Sequence, residues 1–347
     1  MYVRNCWYVA AWSHELEASK PIARRIIDEP LVLYRTPDGA VVALQDRCCH
    51  RHAPLSLGQV EGDALRCMYH GLLFSPAGRC IEIPGQDVIP PQARVRSFAT
   101  LERHSWIWVW MGEADEANRA LVPPAIGLDD PAWSLQCGQI DYDANYVLVN
   151  DNLTDFSHLS YVHKNSFGAD EQWARKLPRI TRFDRGIHVE RWIKNLVPMI
   201  KDRPELRDPA ARVDNFSSYD YWAPGVLLLS SATYWGGTAE RLAEAAPTGA
   251  PVSRTFSSQA ITPVSATRSR YFFSWGVPSG PGTDAVAAGM LEIAKRAFEE
   301  DRRIIEAQQR VINEFGDESM VAIAADAGPL RMRRVMKALC DAEQVAV

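Results

Sequence analysis

The chain has 347 residues, of which 47% are hydrophobic and 23% charged, with a formal net charge of −5. That is length for about two domains and enough apolar content for a sizeable core, which excludes a disordered chain; no stretch approaches the ~18 apolar residues of a membrane span, and a weakly acidic balance argues against nucleic-acid binding. Seven irregularly spaced cysteines do not suggest a disulfide framework, and the opening residues lack a basic region followed by an apolar one, so a cytoplasmic address is expected.

Up to about residue 110 the pattern is one of short strands and turns. Leu31–Arg35 and Ala40–Leu44 flank the turn signal Thr36-Pro37-Asp38-Gly39 and predict a hairpin. Pro76-Ala77-Gly78 and Pro84-Gly85 punctuate the next stretch, and Trp106–Trp110 reads as a strand. Only a short turn near Ser13 to Leu16 looks helical. Acidic residues and prolines between Gly112 and Pro131 mark a linker, which divides the chain into domains 1–112 and 113–347. Beyond it, Asp151–Val162 is a candidate helix, residues 186–193, 217–234 and 271–273 look like strands, 236–252 like a loop, and 284–315 is the longest helical pattern.

Two Cys/His pairs lie in the first domain. Cys48-x-His50 and Cys67-x-x-His70 are separated by sixteen residues, and each supplies one thiolate and one imidazole. A structural zinc site usually takes cysteines from one knuckle and histidines from the other. The mixed pairing suits a Rieske [2Fe–2S] cluster, in which one iron takes two thiolates and the other two imidazoles. Zinc stays open as the rival. Cys49, Cys80 and His52 lie outside this set of four and read as packing or loop residues.

A second cluster runs from Asn150 to His163. On a regular helix Asn152, Asp155 and His158 share a face, whereas His163 falls about 140° round from His158, so the helix is expected to end or bulge between the two histidines. The long C-terminal helix offers a carboxylate. Its apolar stripe comprises Met290, Ala294, Ala297, Phe298, Ile304, Ile305, Val311, Ile312 and Phe315, and Asp301 falls within it. A carboxylate on a buried face needs a cation, either an arginine or a metal. With His158 and His163, Asp301 makes a 2-His-1-carboxylate set, the geometry of non-haem Fe(II) oxygenases.

Over nearly its whole length the sequence resembles the terminal oxygenase component of a Rieske non-haem iron oxygenase, in the group of vanillate O-demethylase, toluenesulfonate methyl-monooxygenase and dicamba monooxygenase. The resemblance is carried by Arg4–Ala10, Cys48-x-His50-Arg51, Ala53–Gly58, Tyr69–Leu72, Ile83–Gln86, Asp151-Asn152-Leu153-x-Asp155-x-x-His158-x4-His163 and Glu300-Asp301. Cys49 stands where the group usually has proline. The match loosens over residues 195–260 and Trp275–Pro278.

The resemblance implies an α+β architecture: an N-terminal all-β Rieske domain, then a helix-grip (START-like) catalytic domain with an antiparallel sheet, three subunits assembling head to tail. It places Asp155 as a bridge between His70 of one subunit and His158 of the next, and Asn152 beside the iron. Electrons from NAD(P)H arrive through a ferredoxin-type or flavin/[2Fe–2S] reductase, pass the cluster, and reach the mononuclear Fe(II). There O2 is used to hydroxylate a methyl or methoxy carbon of a small aromatic acid. Candidate pocket residues are Tyr219, Trp222, Tyr234, Trp235, Arg254 and Trp275, since aromatic walls with one cation suit an aromatic anion. Ring cis-dihydroxylation is the alternative within the class; a Rieske electron carrier without oxygenase activity, or a zinc-holding structural module, is the alternative outside it.

Overall fold

The computed structural model describes residues 2–167, 169–198, 201, 203–316 and 320–345. The chain divides into two compact units, one formed by Met1–Gly127, Thr262–Ala266 and Cys340–Val347, the other by Leu128–Ile261 and Thr267–Leu339.

The first unit is built from short antiparallel strands in three sheets. The hairpin expected around Thr36 is present: Glu29–Arg35 pairs with Val41–Gln45 across a turn closed by the Gly39 N–H donating to the Thr36 carbonyl at 2.9 Å. Strand Trp106–Trp110 is buried along its whole length and lies between Trp7–Trp12 and Thr100–Arg103. A tryptophan-rich strand can be buried on both faces only if each indole N–H finds an acceptor or sits dry. Here Trp108 and Trp110 donate to the Arg103 and Glu113 carbonyls, while Trp106 Nε1 has no partner. A separate core of Val32, Tyr34, Leu44, Leu55, Leu65 and Phe74 takes in Cys48 and Cys67.

The second unit is a seven-stranded antiparallel sheet in the order Trp133–Tyr142, Arg268–Pro278, Ser253–Ser265, Val226–Trp235, Val213–Trp222, Gly186–Leu196, Arg179–Phe183. The helix Thr283–Phe315 packs on its first two strands. Phe298 anchors it, with ring centroids 4.7 Å from Phe273 and 4.9 Å from Tyr271. Strands in one unit and a helix gripped by an antiparallel sheet in the other give the α+β, helix-grip architecture.

Two expectations need correction, and four elements were not anticipated. The Asp151–Val162 segment is not one helix: the helix Tyr146–Thr154 stops at Asp155, which is extended (φ −130°, ψ 102°), and a 3-10 turn Phe156–His158 leads into the short helix Leu159–Val162. One break thus precedes His158, and the short helix also ends at Val162 with His163 as its C-cap, so the expected end between the two histidines is present as well. Asp155 causes the first break by capping, its carboxylate accepting from the Ser157 N–H at 2.8 Å and hydroxyl at 2.9 Å. The stripe of the long helix also narrows: Ala287, Met290, Ala294, Ala297, Asp301 and Ile305 are buried, but Ile304, Val311 and Phe315 are exposed. Finally, strands Trp133–Tyr142, Arg179–Phe183 and most of Ser253–Ser265, and the helix Ala327–Val345, had no expectation attached.

Candidate metal centres

In the first unit, Cys48 and Cys67 begin two loops with the same hydrogen-bond pattern. The Cys48 N–H donates to the Ala53 carbonyl and the His52 N–H to the Cys48 carbonyl; the Cys67 N–H donates to the Leu72 carbonyl and the Gly71 N–H to the Cys67 carbonyl, all at 2.8–2.9 Å. Each loop turns on one residue with positive φ, His52 at 59° and Gly71 at 78°. At Gly71 a side chain has no room, because a Cβ would sit 2.8 Å from Cγ of Pro84.

The loops bury both thiols and expose both imidazoles, and the His50 and His70 ring centroids lie 4.6 Å apart. Burial pushes the Cys48 thiol up to about 12, the backbone N–H of His50 opposing and the adjacent Cys67 thiol adding to the shift. Two buried thiols in contact and two imidazoles side by side at the surface fit a cluster with a sulfur-bound and a nitrogen-bound iron. Cys49 and Cys80 pack against the same core.

In the second unit His158, His163 and Asp301 converge, one ligand atom from each lying within 4.8 Å of the others. His163 Nε2 is 3.1 Å from Asp301 Oδ2, and His158 Nε2 is 3.6 Å from Oδ1. The other ring nitrogens are tied down: His158 Nδ1 donates to the Asp155 backbone carbonyl at 2.6 Å, and His163 Nδ1 to Glu300 Oε2 at 2.9 Å. That leaves both Nε2 atoms facing the Asp301 carboxylate. Glu300 is itself held by the Ser166 hydroxyl at 2.6 Å. Asn152 completes the group, its amide donating to Asp301 Oδ1 at 3.0 Å.

Burial lowers the His158 pKa against the pull of Asp301. At His163 burial acts the same way, but the hydrogen bonds and charges of Asp301 and Glu300 outweigh it and raise the pKa. Asp301 is 3% exposed and forms no ion pair with lysine or arginine among the described residues. A buried carboxylate left that way calls for a cation, and two imidazoles whose Nε2 atoms face it define one that likes nitrogen. The donor set fits a non-haem iron.

The Asp155 carboxylate faces Ser157, and it is the backbone carbonyl that meets His158. Sequence reasoning missed Glu300 and Ser166 as supports. Glu300 stands next to the buried Asp301 but off the apolar stripe, and only the three-dimensional path of the His158–Ser166 segment brings it under a ring nitrogen.

A cavity of about 410 Å³ adjoins the triad, with His158, His163 and Asp301 in its wall. Trp275 lines it, 5.9 Å from Phe167 between ring centroids. The other expected pocket residues do not. Trp222, Tyr234 and Arg254 occupy strand positions of the opposite parity and point through the sheet to its other face. There Trp222 packs on Phe183, Tyr234 on Trp192, and the exposed Arg254 lies over the Trp133 ring. Trp235, at the strand end, is 46% exposed. Tyr219 has the right parity but sits behind Phe156, its hydroxyl donating to the Thr154 carbonyl at 3.1 Å.

The Rieske [2Fe-2S] domain model matches residues 6–99, and the vanillate O-demethylase oxygenase C-terminal domain model matches residues 142–342. The iron-sulfur subunit of a toluene-4-sulfonate monooxygenase system from Comamonas testosteroni is 38% identical over 99% of this chain and 98% of its own. The crystal structure of dicamba monooxygenase bound to 3,6-dichlorosalicylic acid superposes with a TM-score of 0.86 at 31% identity, covering 99% of both chains. The same enzyme with non-haem iron and dicamba gives a TM-score of 0.77 at 28% identity, covering 100% of this chain and 99% of the other.

Fold, donor sets and relatives thus converge on a Rieske non-haem iron monooxygenase, an oxidoreductase working as the oxygenase component of a multi-component system. Within that class the chain belongs to the vanillate O-demethylase oxygenase family. Among the described residues no helix is long and apolar enough to cross a membrane.

Proposed function

We propose that this chain hydroxylates a methyl or methoxy carbon of a small aromatic acid. One oxygen atom of O2 enters the carbon and the other leaves as water, consuming two electrons and two protons; from a methoxy group the resulting hemiacetal releases formaldehyde and a phenol. The observation that carries this reading is the triad His158, His163, Asp301 in the wall of a cavity of ring-accommodating size whose other walls include Phe156, Phe167, Trp173, Trp275 and Phe298.

In this reading Cys48, His50, Cys67 and His70 hold the [2Fe–2S] cluster of domain 1–112, and His158, His163 and Asp301 hold Fe(II) in domain 113–347. The bound metals supply one-electron transfer and the redox chemistry that O2 activation needs. The chain's own groups do the rest. The Asp155 carbonyl and Glu300 fix the two imidazole planes, the Asn152 amide orients the Asp301 carboxylate, and the aromatic walls clasp a flat ring and keep bulk water off the reacting carbon.

Electrons come from NAD(P)H through a ferredoxin-type or flavin/[2Fe–2S] reductase, consistent with a cytoplasmic location. A head-to-tail homotrimer belongs to the same reading, with Asp155 between His158 and the partner subunit's His70. It is supported by the exposed His50 and His70 and by Met68 and Tyr69 beside them, which are 59% and 60% exposed and give that tip an apolar face suited to burial.

The test is a panel of methoxybenzoates and methylated arylsulfonates supplied with reductase and NAD(P)H. Oxygen uptake with stoichiometric formaldehyde, or with a hydroxymethyl product, is expected for at least one acid. Reduction of the cluster without oxygen uptake on any of them would overturn the reading in favour of an electron carrier.

A further inference from the structure

The sheet wall of the cavity is rich in neutral hydrogen-bonding side chains, which stand there beside Leu196, Val213, Leu229 and Trp275. Residues paired directly across antiparallel strands lie on one face, and the register sets Arg191 opposite Ser217, Ser217 opposite Ser231, and Ser231 opposite Thr255. The three hydroxyl residues of this row line the cavity, with Asn215 beside them and Ser257 and Gln259 further along.

The protons of these hydroxyls are uncommitted. Asn215 Nδ2 donates to the Ser231 hydroxyl at 2.7 Å, and Gln259 Nε2 to the Ser257 hydroxyl at 2.9 Å. Each serine therefore has an acceptor site filled by an amide and its O–H left to give. Among the described residues, no protein acceptor takes a hydrogen bond from the hydroxyl of Ser217, Ser231, Thr255 or Ser257. Among the described residues Asn215 Oδ1 is the one unpartnered acceptor beside them; free donors outnumber it, and such a wall asks for a ligand rich in acceptors.

Arg191 ends the row. It is the only arginine or lysine buried among the described residues, at 5% exposure. Its Nη1 donates to the Trp173 carbonyl at 3.0 Å and the Lys176 carbonyl at 3.4 Å, and the guanidinium lies 5.5 Å from the Trp173 ring centroid and interacts with Tyr219. Among the described residues, however, Nε has no hydrogen-bond partner and no carboxylate is in direct contact. The opposing charge is the Asp155 carboxylate, which acts on Arg191 without a direct ion pair. A buried cation matched only at a distance is costly, and a negative charge seated on the neighbouring hydroxyls would relieve it further. No lysine or arginine lines the cavity itself.

Building on the reading of the substrate as an aromatic acid, we propose that its oxyanion headgroup, carboxylate or sulfonate, is recognised by the hydroxyl row Ser217, Ser231 and Thr255, with Arg191 supplying positive potential from behind Trp173. The row and the arginine are thus specificity-determining, and the substrate anion is held by neutral donors without a direct ion pair.

The experiment is calorimetric titration of the metal-loaded protein, without reductase, with matched pairs: a methoxybenzoate and its carboxamide, a methylbenzenesulfonate and its sulfonamide. The wild type should bind an acid of at least one pair more than tenfold tighter than its amide, and which acid does so separates carboxylate from sulfonate. Ser231→Ala and Thr255→Val should each weaken the acid about five- to tenfold while changing the amide less than twofold. Arg191→Met should reduce the acid-over-amide preference and Arg191→Lys should restore most of it. Equal affinity for acid and amide in the wild type, or equal losses for both in the hydroxyl variants, overturns the proposal. An acid that binds with the expected pattern yet is not oxidised when reductase and O2 are added upholds it and overturns the proposed reaction instead; an acid that is oxidised without the pattern does the reverse.

Discussion

His163 Nδ1 lies 2.9 Å from Glu300 Oε2 on the side of the ring opposite Asp301. Neighbouring residues of one helix thereby hold both nitrogens of one imidazole, Asp301 at Nε2 and Glu300 at Nδ1. A carboxylate behind a metal-binding histidine fixes its tautomer and makes it a stronger donor. Glu300→Gln should therefore weaken iron retention in the catalytic domain by about 10- to 100-fold while leaving the visible spectrum of the [2Fe–2S] centre as it is. Iron content after dialysis against a chelator, set beside that spectrum, checks it.

Removing a donor of the triad should go further. The intact chain should carry about three irons, two in the cluster and one at the triad, and no zinc. His158→Ala, His163→Ala and Asp301→Ala should each lower the count to about two with the red-brown colour kept and turnover abolished. Metal analysis with a turnover assay decides; retained turnover in any of the three would remove that residue from the site.

Asp155→Asn separates a structural from an electron-transfer role. Asparagine caps a helix about as well as aspartate, and the turn at Ser157 should survive. Both metals should stay bound, and reduction of the mononuclear iron by the cluster should slow at least tenfold in rapid-mixing experiments. An unchanged rate would reduce Asp155 to its capping function.

Gly71→Ala probes the cluster loop. The backbone angle of 78° and the 2.8 Å approach of Pro84 both oppose a side chain there. A stability loss of about 1–3 kcal/mol in denaturant unfolding is expected, with a lower cluster content after expression.

The elements and donors that could be read in the sequence are those in which one local periodicity or spacing carries the signal. The two Cys/His pairs lie in short loops between recognisable strands, and Asp301 stands out because a charge in a 3.6-residue apolar stripe has to be accounted for. The long helix is exposed at Ile304, Val311 and Phe315 all the same, since an apolar side chain on a helix carries no mark of whether anything covers it. Glu300 was hidden for the converse reason: an acidic residue off the stripe looks like ordinary surface, and its partner is 137 residues away.

The cavity wall was the least legible part. In strand Val226–Trp235 both Leu227 and Leu228 are buried, so the alternation that usually tells the two faces apart is missing. Choosing large aromatic residues selected the packing on the far face, Trp222 and Tyr234, in place of the small hydroxyl residues that line the cavity. The strand Trp133–Tyr142 was lost in the same way, its Ser-Leu-Gln-Cys-Gly stretch matching neither period cleanly. By contrast the helix Ala327–Val345 carried a readable spacing in Met332, Val335, Met336 and Cys340, all buried.

The most direct measurement is the fate of oxygen from 18O2. For a methylated aromatic acid that the reconstituted system oxidises, one labelled oxygen on the benzylic carbon is the expected result, and for a methoxy acid a phenol without label. Two labelled oxygens on the ring, or a product whose oxygen comes from water, would contradict monooxygenation of a methyl or methoxy carbon.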